Sequence, residues 1–90
     1  MKNEPKLTAL FETILKLETV EEAYDFFEDL CTINEIKDMA DRLTVAKLLM
    51  AGETYEQIEA KTKMSSATIS RINRCLQHGS GGYKQLLTKK

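Results

Sequence analysis

Three times in this chain a threonine stands three residues ahead of a glutamate or glutamine: Thr19–Glu22, Thr32–Glu35 and Thr54–Gln57. At that spacing the hydroxyl accepts from the third N–H of a helix, while the longer side chain returns to the threonine's own N–H. Each pair therefore marks a helix start. The apolar spacing agrees. Leu7, Leu10, Phe11, Ile14 and Leu15 form one helical stripe, with Pro5 suited to its first turn. Val20, Ala23, Tyr24, Phe27 and Leu30 form a second, widened by Phe26 and Cys31. A long third helix carries Ile36, Met39, Ala40, Leu43, Ala46 and Met50, with Leu48 and Leu49 broadening the face. It stops at Ala51-Gly52, where glycine can take the left-handed cap geometry.

A short fourth helix holds Tyr55 and Ile58, and Ser65 or Ser66 caps a fifth with Ile69, Ile72, Cys75 and Leu76. Gly79-Ser80-Gly81-Gly82 interrupts it, and Tyr83, Leu86 and Leu87 suit a short last helix over 80–88. No segment alternates with period two for long enough to read as a strand. The expected fold is all-α, with five to six helices in a single domain over 1–90.

Ninety residues, 42% of them hydrophobic and 30% charged, suit one globular domain rather than a disordered or repetitive chain. A monomer of this size hides only about 60–65% of its unfolded surface, so oligomerisation is one route to a larger core. No apolar run approaches the roughly 20 residues that cross a bilayer. Met1-Lys2-Asn3-Glu4-Pro5 has no apolar signal core, so a soluble, cytoplasmic protein is expected.

Enzyme chemistry finds little to use. No histidine accompanies a nucleophile, no glycine-rich loop follows a strand, and Asp25, Glu28 and Asp29 sit on a highly charged, solvated helix face. Cys75 and His78 are one helical turn apart. With Cys31, however, only three candidates exist for a structural zinc site that takes four ligands. No metal, no cofactor and no catalysis are expected.

Charge is distributed unevenly. All 14 acidic residues fall within 1–60, where six basic residues leave a net −8; residues 61–90 hold seven basic residues and no acid. A cationic C-terminal third points to a polyanionic partner; charge pairing between subunits is the blander account.

At the edge of that cationic third lies Thr54 through Arg74. Two short helices meet across Lys63-Met64-Ser65, too tight a turn for antiparallel packing, with Ile58, Met64, Ile69 and Ile72 spaced to form a small core. The second helix presents Ser66, Ala67, Thr68, Ser70, Arg71 and Arg74 outward. Short polar and methyl-bearing side chains near a helix N-terminus let its backbone approach base edges in a major groove, while arginines hold phosphates. Lys61 and Lys63 add phosphate contacts, as do Lys84, Lys89 and Lys90.

Gln57-Ile58 through Ala67-Thr68-Ile69-Ser70-Arg71 resembles the helix-turn-helix of bacterial transcription regulators. Two positions depart from that pattern: Glu59 replaces a small residue, though Ala60 follows, and Lys63 replaces the turn glycine. Over about Leu7–Leu87, the helix order, Cys31-Thr32 through Arg42, Gly52-Glu53 and Ala67 through Arg71 resemble the tryptophan repressor superfamily, nearest its YerC/YecD-type branch.

The resemblance implies an intertwined homodimer, with about 5–52 as dimerisation helices and 54–78 as a DNA-reading head. It also implies an effector pocket at Thr32, Arg42, Arg71, Ile72 and Cys75. Ile72 and Cys75 replace the glycine and serine that admit tryptophan in the repressor, so L-tryptophan is not expected as a ligand. Without a ligand, Arg42 is expected to pair with Asp38 or Asp41, and Arg71 to hold a phosphate.

The expected function is sequence-specific binding of double-stranded DNA by a homodimeric regulator, a repressor by resemblance. Its small-molecule effector is unidentified. The alternative is a protein- or RNA-binding accessory factor on the same helical scaffold. Apart from Tyr83, the basic third lacks the aromatic residues that stack on RNA bases.

Overall fold

The computed structural model describes residues 3–89. Its regular elements are six α-helices: α1 (Pro5–Ile14), α2 (Val20–Leu30), α3 (Ile33–Met50), α4 (Tyr55–Thr62), α5 (Ser66–His78) and α6 (Gly82–Leu87). The described residues contain no strand.

Local chemistry explains the ends. At α3 and α4 the capping boxes close reciprocally: Thr32 and Thr54 N–H donate to Glu35 and Gln57 at 2.8 Å, and their hydroxyls accept from those residues' N–H groups at 3.2 Å. At α2 the box is displaced by one residue. Thr19 Oγ1 accepts from Glu22 N–H at 3.1 Å, but the Glu22 carboxylate takes the Glu18 N–H at 2.7 Å. Pro5 opens α1, capped by the Glu4 carboxylate. After α3 the chain turns through Gly52 at φ +87°, with Gly52 N–H on Leu49 C=O and Glu53 N–H on Leu48 C=O, the paired bonds of a Schellman end. Ser65, and not Ser66, caps α5, accepting from Thr68 N–H at 3.3 Å. At the far end a Cβ on Gly79 would strike the Cys75 carbonyl, so only glycine fits there.

The chain divides into two compact units, Met1–Ile36 and Lys37–Lys90. In the first, neither α1 nor α2 has a buried residue. Leu15 is 83% exposed, Val20 69% and Tyr24 67%, whereas Leu7, Leu10, Ile14, Ala23 and Phe27 are half-buried, so within one chain part of each stripe lies open to solvent. Phe26 and Phe27 meet edge to face, with ring centroids 5.6 Å apart.

The second unit holds the core: Val45 and Ala46 from α3, Ile58 from α4, and Ile69, Ile72 and Leu76 from α5. Leu48, Leu49, Met64, Tyr83 and Leu87 close its edges. Of the long α3 stripe only Ala46 enters this core. Met39, Leu43 and Met50 stay exposed, and Val45, outside the stripe, is fully buried in their place. A helix apolar on more than one side does not reveal from its spacing which side packs inward.

Candidate nucleic-acid interface

Helices α4 and α5 are held at a fixed angle by their shared isoleucines. Ile58 and Ile69 are fully buried and Ile72 nearly so, and each belongs to a helix too short to persist alone. The turn between them is built by hydrogen bonds. Thr62 Oγ1 donates to the Ile58 carbonyl at 2.7 Å and accepts from Met64 N–H at 3.2 Å, tying the last turn of α4 to the linker. Lys63 N–H reaches the Glu59 carbonyl at 2.8 Å while Lys63 itself sits left-handed, at φ 61° and ψ 19°. Among the described residues no other non-glycine has positive φ. The lysine thus occupies the conformation that glycine usually supplies in this turn.

Around α5, the core side carries Ile69, Ile72 and Leu76. Ser66, Ala67, Arg71 and Arg74 are exposed, and Ser70 is half-buried. Thr68 lies on the flank instead. It is half-buried, and its hydroxyl is 3.1 Å from the Ser65 hydroxyl. Lys61 is not a free cation: its Nζ lies 2.6 Å from a Glu53 carboxylate oxygen. Lys63, Lys84 and Lys89 are exposed; Lys90 lies outside the described residues. Glu56 and Glu59, on α4, are exposed too. Lys37–Lys90 holds ten basic and five acidic residues, a net +5, whereas Met1–Ile36 is −6.

A second link crosses the two helices. Asn73 Nδ2 donates to the Tyr55 hydroxyl at 3.2 Å, joining the first residue of α4 to the middle of α5. Nothing in the sequence flags Asn73, because the pair depends on how the two helices cross.

Beside α5 is a groove of about 420 Å³. Arg42, Arg71, Ile72 and Cys75 line it together. Asp38, Met64, Thr68 and Tyr83 complete the wall, and none of these four was expected there. The Thr32 hydroxyl caps α3, accepting from Glu35 N–H at 3.2 Å. Among the described residues Arg42 has no carboxylate within ion-pair distance, so the expected pairing with Asp38 or Asp41 is absent; all three side chains are exposed. A more apolar groove of about 460 Å³ lies between Leu43, the Gly79–Gly82 loop and α6.

A short helix pair with a capped second helix, an arginine-bearing open face and a cationic surround defines a helix-turn-helix protein of the DNA-binding regulator class. A family model described as Trp repressor protein matches residues 5–90, and the chain belongs to that family. The family is one of regulators and not of enzymes.

Among proteins to which the chain is similar is the uncharacterised protein YerC of Bacillus subtilis strain 168, 51% identical over 84 residues, which are 93% of this chain and 81% of that protein. Two solved structures are also close. A TrpR-like protein from Eubacterium eligens ATCC 27750 is 48% identical with a TM-score of 0.91, matching 94% of this chain and 88% of its own. A candidate Trp repressor from Staphylococcus aureus is also 48% identical, with a TM-score of 0.89 over 94% and 85%.

Proposed function

We propose that this chain is a sequence-specific DNA-binding transcriptional regulator that acts as a homodimer, and by its family a repressor, on a two-fold symmetric site in cytoplasmic DNA. The open face of α5 carries the proposal: Ser66, Ala67, Ser70, Arg71 and Arg74 stand on a helix fixed by the Ile58–Ile69–Ile72 packing. Ser66, Ala67 and Ser70 meet base edges, with Thr68 at the flank. Arg71 and Arg74 reach base edges or phosphates. Lys63 contacts phosphate, and Lys61 does so by exchanging Glu53 for DNA. The dimer is supported by apolar surface that one chain leaves open, including Phe11, Leu15, Val20, Tyr24, Met39 and Leu43. Two-fold symmetry then spaces the heads by about one helical turn of DNA, roughly 34 Å.

The groove beside α5 is the effector site of this proposal. Arg42 and Arg71 suit an anionic group there. Ile72 is 4% exposed, and its branched side chain fills space that an indole ring needs, so L-tryptophan is not the effector. Titration calorimetry checks that point, and micromolar tryptophan binding would refute it.

The decisive experiment is selection of genomic fragments by the purified protein at about 150 mM salt, where purely electrostatic binding is weak. A shared, two-fold symmetric sequence is the expected outcome. Recovery without sequence preference, from protein shown to be a folded dimer, refutes the assignment.

A further inference from the structure

Tyr55 and Asn73 form a side-chain link that the fold of the head does not require. The α4 and α5 helices already share a core of isoleucines, and that core is apolar. Dispersion and burial hold two helices together, but they are nondirectional. Their packing tolerates small rotations of one helix about the contact. A hydrogen bond between side chains at defined positions is directional and weakens steeply when its angle opens. The Asn73 amide donating to Tyr55 Oη at 3.2 Å supplies that direction.

The geometry of its attachment makes it a good gauge. Tyr55 is the first residue of α4, and the preceding Thr54 is locked by both bonds of its capping box, so the tyrosine backbone is fixed. Its ring has two rotatable bonds and little freedom to follow a moving partner. Asn73 lies one turn beyond Ser70 and beside the outward Arg74, on the helix that carries the base-facing side chains. Rotation of α5 about its own axis displaces Asn73 from the hydroxyl and Ser70 from a base edge together.

We propose that Tyr55 and Asn73 are a positioning pair that sets the rotation of α5, so that discrimination among base sequences depends on their hydrogen bond while affinity for DNA in general does not. This rests on the assignment of α5 as the DNA-reading helix. Neither side chain is charged, so removing the bond leaves the counterion term untouched. The two residues act through Ser66, Ala67 and Ser70, not by touching bases.

The test uses the full chain and four proteins: unaltered, Tyr55→Phe, Asn73→Ala and the double variant. Each is titrated with the genomically selected duplex and with a scrambled duplex of equal length, over a range of salt. Thermal denaturation at fixed protein concentration accompanies every titration. Each single variant is expected to lower the selected-to-scrambled affinity ratio about fivefold, the size of one hydrogen bond. Scrambled-duplex affinity and salt slope stay the same, and the double variant is no worse than either single one.

A ratio that holds in Tyr55→Phe, a protein that keeps the ring and folds, overturns the inference. So do single-variant losses that multiply in the double variant, and so does loss of thermal stability with an unchanged ratio, the signature of a purely structural bond. If the unaltered protein shows no preference for any sequence, the DNA-reading assignment fails and carries this inference with it; if it shows one and Tyr55→Phe keeps it, only the inference fails.

Discussion

Lys63 offers a perturbation whose effects on stability and on binding have opposite signs. Its backbone is left-handed, at φ 61° and ψ 19°, in the turn that aims α5. For a residue with a Cβ that conformation costs about 1–2 kcal/mol. Replacing it by glycine removes the cost but gives the unfolded chain more freedom, which returns roughly 0.5–1 kcal/mol. The net for Lys63→Gly is a gain of about 0.5–1 kcal/mol. Lys63→Ala is the control, because it removes the same charge and keeps the strain. The glycine variant should therefore exceed the alanine variant by about 0.5–1 kcal/mol, or roughly 2–8 °C in Tm for a domain of this size.

Binding moves the other way. Both variants lose one phosphate contact per subunit, so in a dimer the slope of log K against log salt falls by about 2. The assays are thermal unfolding at one fixed protein concentration, which holds any contribution of self-association constant, and affinity for the selected duplex between 50 and 200 mM salt. If Lys63→Gly melts no higher than Lys63→Ala, the turn is not left-handed and the reasoning fails. A salt slope equal to that of the unaltered protein removes Lys63 from the phosphate contacts.

Arg74→Ala should weaken binding to selected and scrambled duplexes alike and flatten the salt slope, whereas Ser70→Ala should relax base preference and leave the slope nearly unchanged; affinity measurements over salt separate them. Ile58→Val trims a fully buried side chain between α4 and α5 and should cost about 0.5–1.5 kcal/mol in chemical denaturation. The Glu35 carboxylate is held below its ordinary value, chiefly by the Thr32 N–H it accepts and then by the Thr32 hydroxyl. Its folded pKa is thus the lower one. The stabilisation is complete above the unfolded value near 4.5 and disappears as pH falls through the folded one. Corrected for the intrinsic exchange rate, the protection of amides at the start of α3 should fall in acid, and Glu35→Gln, which keeps an acceptor but does not titrate, should lose that pH dependence.

Most helix boundaries were legible because their causes are local. Thr32–Glu35 and Thr54–Gln57 close as their spacing demands, and Gly52 takes the left-handed cap. At α2 the same pattern places its carboxylate on Glu18 N–H, one residue early, since two adjacent donors compete for one acceptor. The small core of Ile58, Ile69 and Ile72 followed from spacing as well, with Met64 at its edge. Less could be read of the site. The open positions on α5 were foreseen, but the Lys61–Glu53 pair, the flank position of Thr68 and the Tyr55–Asn73 bond were not.

What the sequence determined by itself is where helices begin and end, which residues are apolar, and how charge divides along the chain. Those properties depend on neighbours three or four positions away, within one turn. Which side of α3 enters the core was left to the tertiary structure. The larger Met39, Leu43 and Met50 are apolar, yet Val45 and Ala46 face α4 and α5. Close helix approach favours small side chains, and the 18-residue gap between Tyr55 and Asn73 closes only once that approach has fixed the crossing angle.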